Sequence, residues 1–251
     1  MDSTKFIPLG GQEVRKDLLR TYVAIVLDKS GSMETIRDAT IQGFNSQVDS
    51  IIKDAVGQTY LSLVSFSTYV EPTFWNQHPS YLTKLSRDNY KPAGNTALYD
   101  AIGYTIHRLD FTAEDVGNSA FLVIIVSDGY ENWSKEYKYT LPGIIKQKQA
   151  TGRWTFVYVG SNQDIAQVAQ TLWIPVQNTH SFVNDSCGTA AAFTVTNNSL
   201  GTYFDGRKRG LTSSSNFYNG QSTSADKLDT LINNAVNITP TTVPSSSDQT
   251  P

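Results

Sequence analysis

The sequence predicts an α/β fold, a Rossmann-like three-layer sandwich with a mostly parallel central sheet, one antiparallel edge strand, and helices on both faces. Two observations predict it. Short runs that are almost entirely apolar alternate along the chain with longer segments of helical periodicity, an alternation typical of βαβ units. Several of the apolar runs also lack the polar alternation of strands with one solvated face, so they indicate strands covered on both sides. No internal repeat is visible.

The first half of the chain contains three predicted strands and one helix. Residues 22–27 (YVAIVL) form a nearly continuous apolar run, which predicts a buried parallel strand. Residues 34–53 carry apolar side chains at helical spacing and predict an amphipathic helix. Residues 60–66 predict a second strand, and residues 69–75 follow it as an antiparallel edge hairpin. Pro72 supports the edge position, because a proline cannot donate to a central ladder.

The second half of the chain continues the same alternation. The FLVIIV run at residues 121–126 is the most hydrophobic segment, and it predicts a central strand. Pro142 must break, kink or restart the helix that contains it. The predicted helices of this half span residues 96–109, 134–150, 164–172 and 189–204, and its remaining predicted strands span residues 154–159 and 174–176.

Composition divides the chain into three parts. We expect an N-terminal extension at residues 1–20, the α/β domain at residues 21–206, and a C-terminal tail rich in Ser, Thr and Asn at residues 207–251. After about residue 210 the tail has few apolar side chains, so burial cannot offset the entropy of ordering it, and we expect it to be flexible. A short helix is predicted within it at residues 225–236.

Charge and composition exclude several classes of function. A net charge of -3 over 251 residues offers no basic surface for nucleic acid. The longest apolar runs are far shorter than a membrane span, and the N-terminus lacks the apolar core of a signal peptide. We therefore expect a cytoplasmic protein, or a virion-associated one if it is phage-encoded. The single cysteine, Cys187, excludes an internal disulfide and is interpreted as a small buried hydrophobe.

Three polar loops follow predicted strands or precede a predicted helix. They should gather at the carboxyl edge of a parallel sheet, where α/β proteins bind their ligands. The loops are residues 28–32, 94–96 and 127–129, and the candidate ligands in them are Asp28, Ser30, Ser32, Thr96 and Asp128. Two carboxylates and three hydroxyls, without Cys or His, suit Mg²⁺ or Mn²⁺ better than zinc. A dication held by only two carboxylates is still able to take an anionic oxygen from outside.

The same residues carry a resemblance to a known family. The run Asp28-Lys29-Ser30-Gly31-Ser32-Met33 matches the DxSGS motif of von Willebrand factor A domains. Thr96 resembles their metal-binding threonine before a helix, and Asp128 resembles their late aspartate. The resemblance covers residues 22–204 and is closest to small stand-alone bacterial and phage members.

This resemblance implies a metal-ion-dependent adhesion site. In such a site, Ser30 and Ser32 would bind the ion directly through their hydroxyls. Thr96, Asp28 and Asp128 would bind it directly or through water. A glutamate or aspartate of a partner would then complete the coordination of the ion.

Other interpretations of these residues stay open. Asp28 and Ser30 also suit the capping of the helix that follows, since Asp and Ser are common caps and turn formers. Phosphatase chemistry of the haloacid dehalogenase type needs a second aspartate where this chain has Ser30. The sequence contains no phosphate-binding P-loop and no nucleophile elbow, and nothing pairs its three histidines with a nucleophile. We therefore expect no enzymatic activity.

Residues around the predicted site have less specific roles. We expect Lys29 to point to solvent rather than to steer an acidic partner. Residues 131–133, with Tyr99 and Tyr130, form either a collar that contacts the partner or ordinary packed loops. Residues 162–164 are expected to cap the helix that follows them.

Two functions from different classes fit these expectations. The first is a metal-dependent protein-binding module whose divalent cation coordinates an acidic residue of a partner protein. The second is a structural component of a larger assembly, such as a phage particle, in which the metal site is vestigial or stabilising. A resemblance at the level of the fold does not choose between them.

Overall fold

The computed structural model describes residues 19–112, 119–161 and 165–218. Most of the expected N-terminal extension, the helix predicted at residues 225–236 and the cap predicted at residues 162–164 lie outside the described residues. Among the described residues, no helix is both long enough and apolar enough to cross a membrane.

A six-stranded sheet forms the centre of the structure, with the strand order β3-β2-β1-β4-β5-β6. Its strands are β1 (Arg20–Asp28), β2 (Gln58–Phe66), β3 (Val70–Gln77), β4 (Ser119–Ser127), β5 (Trp154–Ser161) and β6 (Thr179–Phe182). All neighbouring pairs are parallel except β2 and β3, which are antiparallel. The edge strand β3 contains Pro72, as the sequence predicts. The predicted fold class is confirmed.

Helices cover both faces of this sheet. They are α1 (Arg37–Asp54), α2 (Leu98–Thr112), α3 (Leu141–Ala150), α4 (Ile165–Leu172) and α5 (Ser186–Lys208). α1 and α5 contribute to the hydrophobic cluster on one face, whereas α2, α3 and α4 contribute to the cluster on the other. Alternate residues of β1 enter the two clusters, which explains why this strand is apolar almost throughout. A 3₁₀ helix at Gly31–Ile36 precedes α1.

The position predicted for the last strand is wrong. Residues 174–176 do not form a strand, and the chain instead makes a 3₁₀ turn at Val176–Asn178 before β6 begins. Pro175 removes a ladder donor at this place. The buried amide of Asn178 fixes the turn, because its Nδ2 donates to the Phe156 carbonyl oxygen over 3.0 Å.

The helix predicted at residues 134–150 is shorter than expected. α3 begins at Leu141, which puts Pro142 in the first turn, where a missing N–H costs no helical hydrogen bond. Residues 136–140 form bends and a turn instead, and residues 134–135 have no regular structure. The Asp100 carboxylate of α2 accepts hydrogen bonds from three backbone N–H groups of this segment, those of Lys135, Glu136 and Tyr137. The proline therefore restarts the helix, and the segment before it packs against α2.

The packed domain extends beyond the boundary expected at residue 206. α5 continues past that residue, and the Arg207 side chain is fully buried, where its Nε donates to Thr21 Oγ1 over 3.1 Å. Phe217 and Tyr218 belong to the same hydrophobic cluster as α1 and α5. The first residues of the expected flexible tail, up to Tyr218, are therefore part of the domain.

Cys187 is exposed, which corrects its interpretation as a buried hydrophobe. It lies in the first turn of α5, where the Asp185 carboxylate caps the helix by accepting a hydrogen bond from the Gly188 N–H over 2.7 Å. Its neighbour Ser186 is exposed as well. The Ala-rich stretch that follows suggests burial, but the register of the helix turns this first turn outward.

Gly43 of α1 lies directly against Phe193 of α5. A Cβ at position 43 would stand 2.1 Å from Phe193 Cδ2, which is much closer than any real contact. We expect Gly43→Ala to lower the free energy of unfolding by about 1–3 kcal/mol, because the ring must leave its position or the helices must separate.

Urea denaturation measures this loss, with Gly143→Ala as the matched control. A Cβ at Gly143 of α3 meets no atom within 4 Å, so this second substitution should be neutral or stabilising by up to about 1 kcal/mol. Equal stabilities of the two variants would contradict the close packing of α1 on α5.

Candidate metal centre

The Asp28 carboxylate is held at the end of β1 with both of its oxygens bonded. Its Oδ1 accepts a hydrogen bond from the Ser30 N–H over 2.6 Å, and its Oδ2 accepts one from Ser127 Oγ over 2.6 Å. The Asp28 carbonyl oxygen accepts a further bond from the Tyr90 hydroxyl over 2.6 Å. Since Asp28 and Tyr90 are both buried, the first loop, residues 28–32, leaves the sheet in a fixed direction.

Hydrogen bonds connect this first loop to the third loop, residues 127–129. The hydroxyl oxygens of Ser30 and Ser32 lie 3.2 Å apart, and Ser32 Oγ donates to Asp128 Oδ1 over 2.6 Å. Asn184, in the loop before α5, donates from Nδ2 to Asp128 Oδ2 over 3.2 Å. Ser30 is buried whereas Ser32 is exposed, so the cluster opens to the surface at Ser32.

Thr96 reaches the cluster on the second loop, residues 94–96. The Gly31 N–H donates to the Gly94 carbonyl oxygen over 3.1 Å, which ties the second loop to the first. Gly94 has a φ of 84°, and a Cβ there would lie 2.5 Å from Thr68 Oγ1, so this position requires glycine. Asn132 holds Thr96 from the other side: its Oδ1 accepts from the Thr96 N–H over 2.9 Å, and its N–H donates to the Thr96 carbonyl oxygen over 3.1 Å.

The surroundings of Gly129 show that oxygen atoms of the three loops converge. A Cβ on this residue would lie 3.1 Å from Thr96 Oγ1, 3.6 Å from Ser32 Oγ and 3.7 Å from Asp28 Oδ2. The hydrogen bonds described above add the remaining two side chains to the same cluster. The structure therefore brings together all five predicted residues, Asp28, Ser30, Ser32, Thr96 and Asp128. Their roles as metal ligands stay predictions.

The donor set of this cluster fits a hard divalent cation. It consists of carboxylate and hydroxyl oxygens, which are the ligands that Mg²⁺ and Mn²⁺ prefer. In the described part of the chain, no group of three or more His, Cys, Asp or Glu side chains is placed to hold a metal, so the centre depends on its hydroxyls. The capping alternative finds no support at Ser30, because no side-chain hydrogen bond caps the 3₁₀ helix that follows it.

Burial raises the pKa of both carboxyl groups in the centre. It raises the pKa of Asp28 from 3.8 to about 6, and hydrogen bonds from Ser127 and Ser30 oppose this effect only in part. The pKa of Asp128 is also raised by burial, against the hydrogen bonds that its carboxylate accepts. Carrying two negative charges in this place costs free energy, and a bound cation would offset that cost.

The predicted collar at residues 131–133 contains two kinds of side chain. Glu131 accepts four hydrogen bonds, among them one from the Tyr99 N–H in the first turn of α2 over 2.9 Å. Asn132 holds Thr96, as described above. Tyr130 and Trp133 are exposed, and in the described part of the chain no hydrogen bond involves either side chain. The two polar side chains therefore hold the neighbouring backbone in place, and the exposed aromatic residues are available to a partner.

Sequence reasoning missed three residues that support the centre: Ser127, Asn184 and Tyr90. A signal existed for Ser127, because a hydroxyl ends the apolar run of β4 directly before Asp128. Asn184 and Tyr90 come from segments distant in sequence, where no local pattern connects them to the loops. Only the folded structure shows their contacts.

Lys29 does not point freely into solvent, which corrects the expectation for it. Its ammonium pairs with the Glu71 carboxylate of β3, and the Lys29 side chain is only 19% exposed. The Lys29 N–H also donates to the Phe66 carbonyl oxygen over 2.7 Å. An ion pair with one exposed partner stabilises a fold by about 0–1 kcal/mol, so this pair chiefly joins the first loop to the edge hairpin.

The fold and the site define an α/β sandwich with an oxygen-lined centre at the carboxyl edge of its sheet. Residues 23–195, more than half of the chain, match the family model of the von Willebrand factor type A domain. The chain therefore belongs to the von Willebrand factor type A family. No curated protein matches the sequence.

Several solved structures share the fold. Proximal thread matrix protein 1 from the mussel byssus, with a zinc-occupied MIDAS motif, is 14% identical, with a TM-score of 0.54, over 70% of this chain and 47% of that one. The vWF domain of the type V pili tip protein Mfa5 from Porphyromonas gingivalis is 11% identical, with a TM-score of 0.54. The match covers 74% of this chain and 96% of that one. The PilB minor pilin from Streptococcus sanguinis is 14% identical, with a TM-score of 0.51. The match covers 81% of this chain and 63% of that one. The chain spans about half the length of the byssus protein, and these likenesses show the fold alone.

Gly129→Ala is expected to obstruct the centre without unfolding the domain. The new Cβ would stand 3.1 Å from Thr96 Oγ1 and lie among the predicted ligands. The backbone of Gly129 is outside the left-handed region, so alanine adopts it without strain. We expect the affinity for Mg²⁺ to fall by about tenfold or more, which corresponds to about 1.4 kcal/mol.

Calorimetric titration measures this loss, and Gly143→Ala serves again as the control that leaves the affinity unchanged. An unchanged affinity in Gly129→Ala would mean that the ion is not held at the point where the three loops meet.

Proposed function

We propose that the protein is a metal-dependent protein-binding module whose cation, Mg²⁺ or Mn²⁺, coordinates an acidic residue of a partner protein. The ion would be held by the five predicted ligands, Asp28, Ser30, Ser32, Thr96 and Asp128. The observation that carries the proposal is the convergence of oxygen atoms from three separate loops on the surroundings of Gly129. When bound, the ion would supply a positive charge that attracts a carboxylate from outside.

Exposure within the cluster supports access from the surface. Asp28 is fully buried and Asp128 is 9% exposed, whereas Ser32 is open to solvent. A cation among these groups would have buried carboxylates on its inner side and a free approach on its outer side. A partner carboxylate could therefore reach it without entering the domain.

We propose binding rather than catalysis. The histidines, which would serve as general bases, lie in other surroundings: the ring of His107 packs on Phe111, and the ring of His180 packs on Tyr218. His78 accepts a hydrogen bond from the Ser80 N–H beside the edge strand. A nucleophilic hydroxyl of the centre would thus have no histidine to activate it.

A second candidate is a structural component of a larger assembly, such as a phage particle, with the metal site vestigial or stabilising. It is favoured by the hydrogen bonds that join Ser30, Ser32 and Asp128, and those that join Ser127 and Asp28, because they satisfy these groups from within the chain. Pilus and byssus proteins among the similar folds point the same way. For either role we propose the localisation expected from the sequence, which is cytoplasmic, or virion-associated if the protein is phage-encoded.

Two measurements test the proposal. Calorimetric titration with MgCl₂ and MnCl₂ should show binding to the wild type and none to Asp28→Ala, and a wild type that binds neither ion would overturn it. Pull-down with and without EDTA then distinguishes the two candidates. Partners lost in EDTA support the binding module, whereas a partner list that EDTA leaves unchanged supports the structural role.

A further inference from the structure

A groove of about 270 Å³ lies next to the second loop. Its walls come from the turn between β2 and β3, from the first half of α2, and from the segment after the third loop. Its lining includes Thr68, Tyr69, Ala97, Tyr104, Trp133 and Lys135. We call it the aromatic groove, since three of these six side chains are aromatic.

The aromatic groove is continuous with the metal centre. Thr68 Oγ1 accepts a hydrogen bond from the Asn95 N–H of the second loop over 3.0 Å. Ala97 follows Thr96 directly, and Trp133 follows the Asn132 that holds Thr96. The segments that position Thr96 therefore also form the walls of the groove, so a chain bound at one would pass the other.

The mouth of the aromatic groove carries exposed aromatic surface. The side chain of Tyr69 is 74% exposed and that of Trp133 is 42% exposed. Aromatic residues that protrude beside a binding site are frequent hot spots of protein interfaces. Two of the lining residues are acidic, Asp100 and Glu136. The Asp100 carboxylate is already used by the backbone N–H groups of residues 135–137, whereas Glu136 is exposed at the rim.

Size limits what the aromatic groove can hold. At about 270 Å³ it is below the range of roughly 300–1,000 Å³ that small-molecule pockets occupy, so one large side chain suits it better than a cofactor. The exposed Lys135 places its Nζ 5.3 Å from the centre of the Trp133 ring, which adds a positive charge at the mouth. The exposed Glu136 beside it carries the opposite charge. The charge of the groove therefore does not select its occupant, and an acidic residue of the occupant would be recognised at the metal centre.

We propose that the aromatic groove is the specificity pocket of the metal centre, and that it takes an aromatic side chain from a partner segment whose nearby acidic residue binds the ion. The inference rests on the proposed function. The metal centre would recognise an acidic residue of the partner, a feature that many proteins expose. The aromatic groove would then select those segments in which an aromatic residue lies close to the acidic one.

A displayed library of random peptides, selected on the full chain in MgCl₂ and eluted with EDTA, tests the inference. We expect the selected peptides to share an acidic residue with an aromatic residue a few positions away. A synthetic peptide of that sequence should bind Trp133→Ala and Tyr69→Ala about tenfold or more weakly than the wild type. A second peptide, in which the aromatic residue is replaced by alanine, should bind the wild type about tenfold or more weakly than the first peptide does. On Trp133→Ala the two peptides should differ little in affinity, because the contact is already lost.

Tyr139→Ala is the matched control, because Tyr139 is exposed and has a lysine over its ring, Lys138, but does not line the groove. Tyr139→Ala should bind the peptide with the affinity of the wild type. Tyr139→Ala, Trp133→Ala and Tyr69→Ala should all bind Mg²⁺ with the affinity of the wild type. Acidic peptides without an aromatic residue, or full affinity in Trp133→Ala and Tyr69→Ala, would overturn the specificity pocket and leave the proposed function standing. A selection that yields no peptide eluted by EDTA would overturn both.

Discussion

Asp28→Asn is expected to remove metal binding while it raises the stability of the metal-free domain. The substitution keeps the shape of the side chain, so the Ser30 N–H retains its acceptor. Ser127 Oγ can accept from the new amide and turn its own hydrogen toward the Gly129 carbonyl oxygen, 3.2 Å away. The amide, however, has no charge to offer a dication. We expect the affinity for Mg²⁺ to fall by about 100-fold or more, which corresponds to about 2.7 kcal/mol.

The gain in stability follows from the raised pKa of Asp28. Because burial raises this pKa from 3.8 to about 6, the folded domain keeps a proton between these pH values that the unfolded chain has released. The metal-free wild type should therefore lose stability as the pH rises from about 4 to about 6, by about 3 kcal/mol at most. Asp28→Asn lacks this titration, so it should match the wild type near pH 4 and exceed it at pH 7.

Urea denaturation of both proteins in EDTA, from pH 4 to 8, measures this difference. The same series in MgCl₂ should stabilise the wild type, by about 2.7 kcal/mol at a hundred times Kd, and leave Asp28→Asn unchanged. Asp49→Asn is the matched control, since Asp49 is an exposed carboxylate of α1, and it should change neither series. Equal stabilisation of Asp28→Asn and the wild type by Mg²⁺ would place the ion elsewhere.

The central strands could be predicted because their environment leaves them one arrangement. β1 and β4 lie in the middle of the sheet with a hydrophobic cluster on each face, so their apolar runs have no polar face to interrupt them. The edge strand β6 was harder to predict from the sequence. β6 has only four residues, and the turn before it depends on the Asn178 amide and its distant acceptor Phe156. The local sequence pattern around residues 174–182 does not indicate that contact.

The candidate centre could be predicted for a related reason. Its loops directly follow β1 and β4 or precede α2, so the order of the sheet alone carries Asp28, Thr96 and Asp128 to one edge. The orientation of the side chains after β4 could not be predicted. Glu131 and Trp133 are two positions apart in a polar loop, yet the Glu131 carboxylate accepts four hydrogen bonds and the Trp133 side chain is exposed. One of the four donors is the Tyr99 N–H in the first turn of α2, about thirty residues away in sequence, and a local pattern does not show that contact.

Glu131→Gln is expected to lower the free energy of unfolding by about 1–3 kcal/mol and to weaken Mg²⁺ binding severalfold. In the wild type, Glu131 Oε1 accepts from the N–H groups of Trp133 and Ser134 over 2.9 and 2.7 Å. Its Oε2 accepts from the Tyr99 N–H over 2.9 Å and from Ser134 Oγ over 2.6 Å. An amide has one acceptor oxygen, so in either orientation at least one backbone N–H faces a donor. A buried unsatisfied donor costs about 1–3 kcal/mol, and because these donors are exposed or only part-buried, the loss should lie near the lower end of that range.

The loss should be concentrated at the start of α2. Glu131 binds the Tyr99 N–H in the first turn, and that turn begins two residues after Thr96, so a loosened turn would release a predicted ligand. Amide hydrogen exchange measures this directly: the Tyr99 N–H should exchange faster in Glu131→Gln, while the amides of β5 keep their protection. The matched control is Glu136→Gln in the same segment, where the side chain is exposed and the change should stay within about 0.5 kcal/mol. If the two variants were alike in stability, in Tyr99 protection and in Mg²⁺ affinity, Glu131 would be an ordinary surface residue, and the first turn of α2 would hold Thr96 without it.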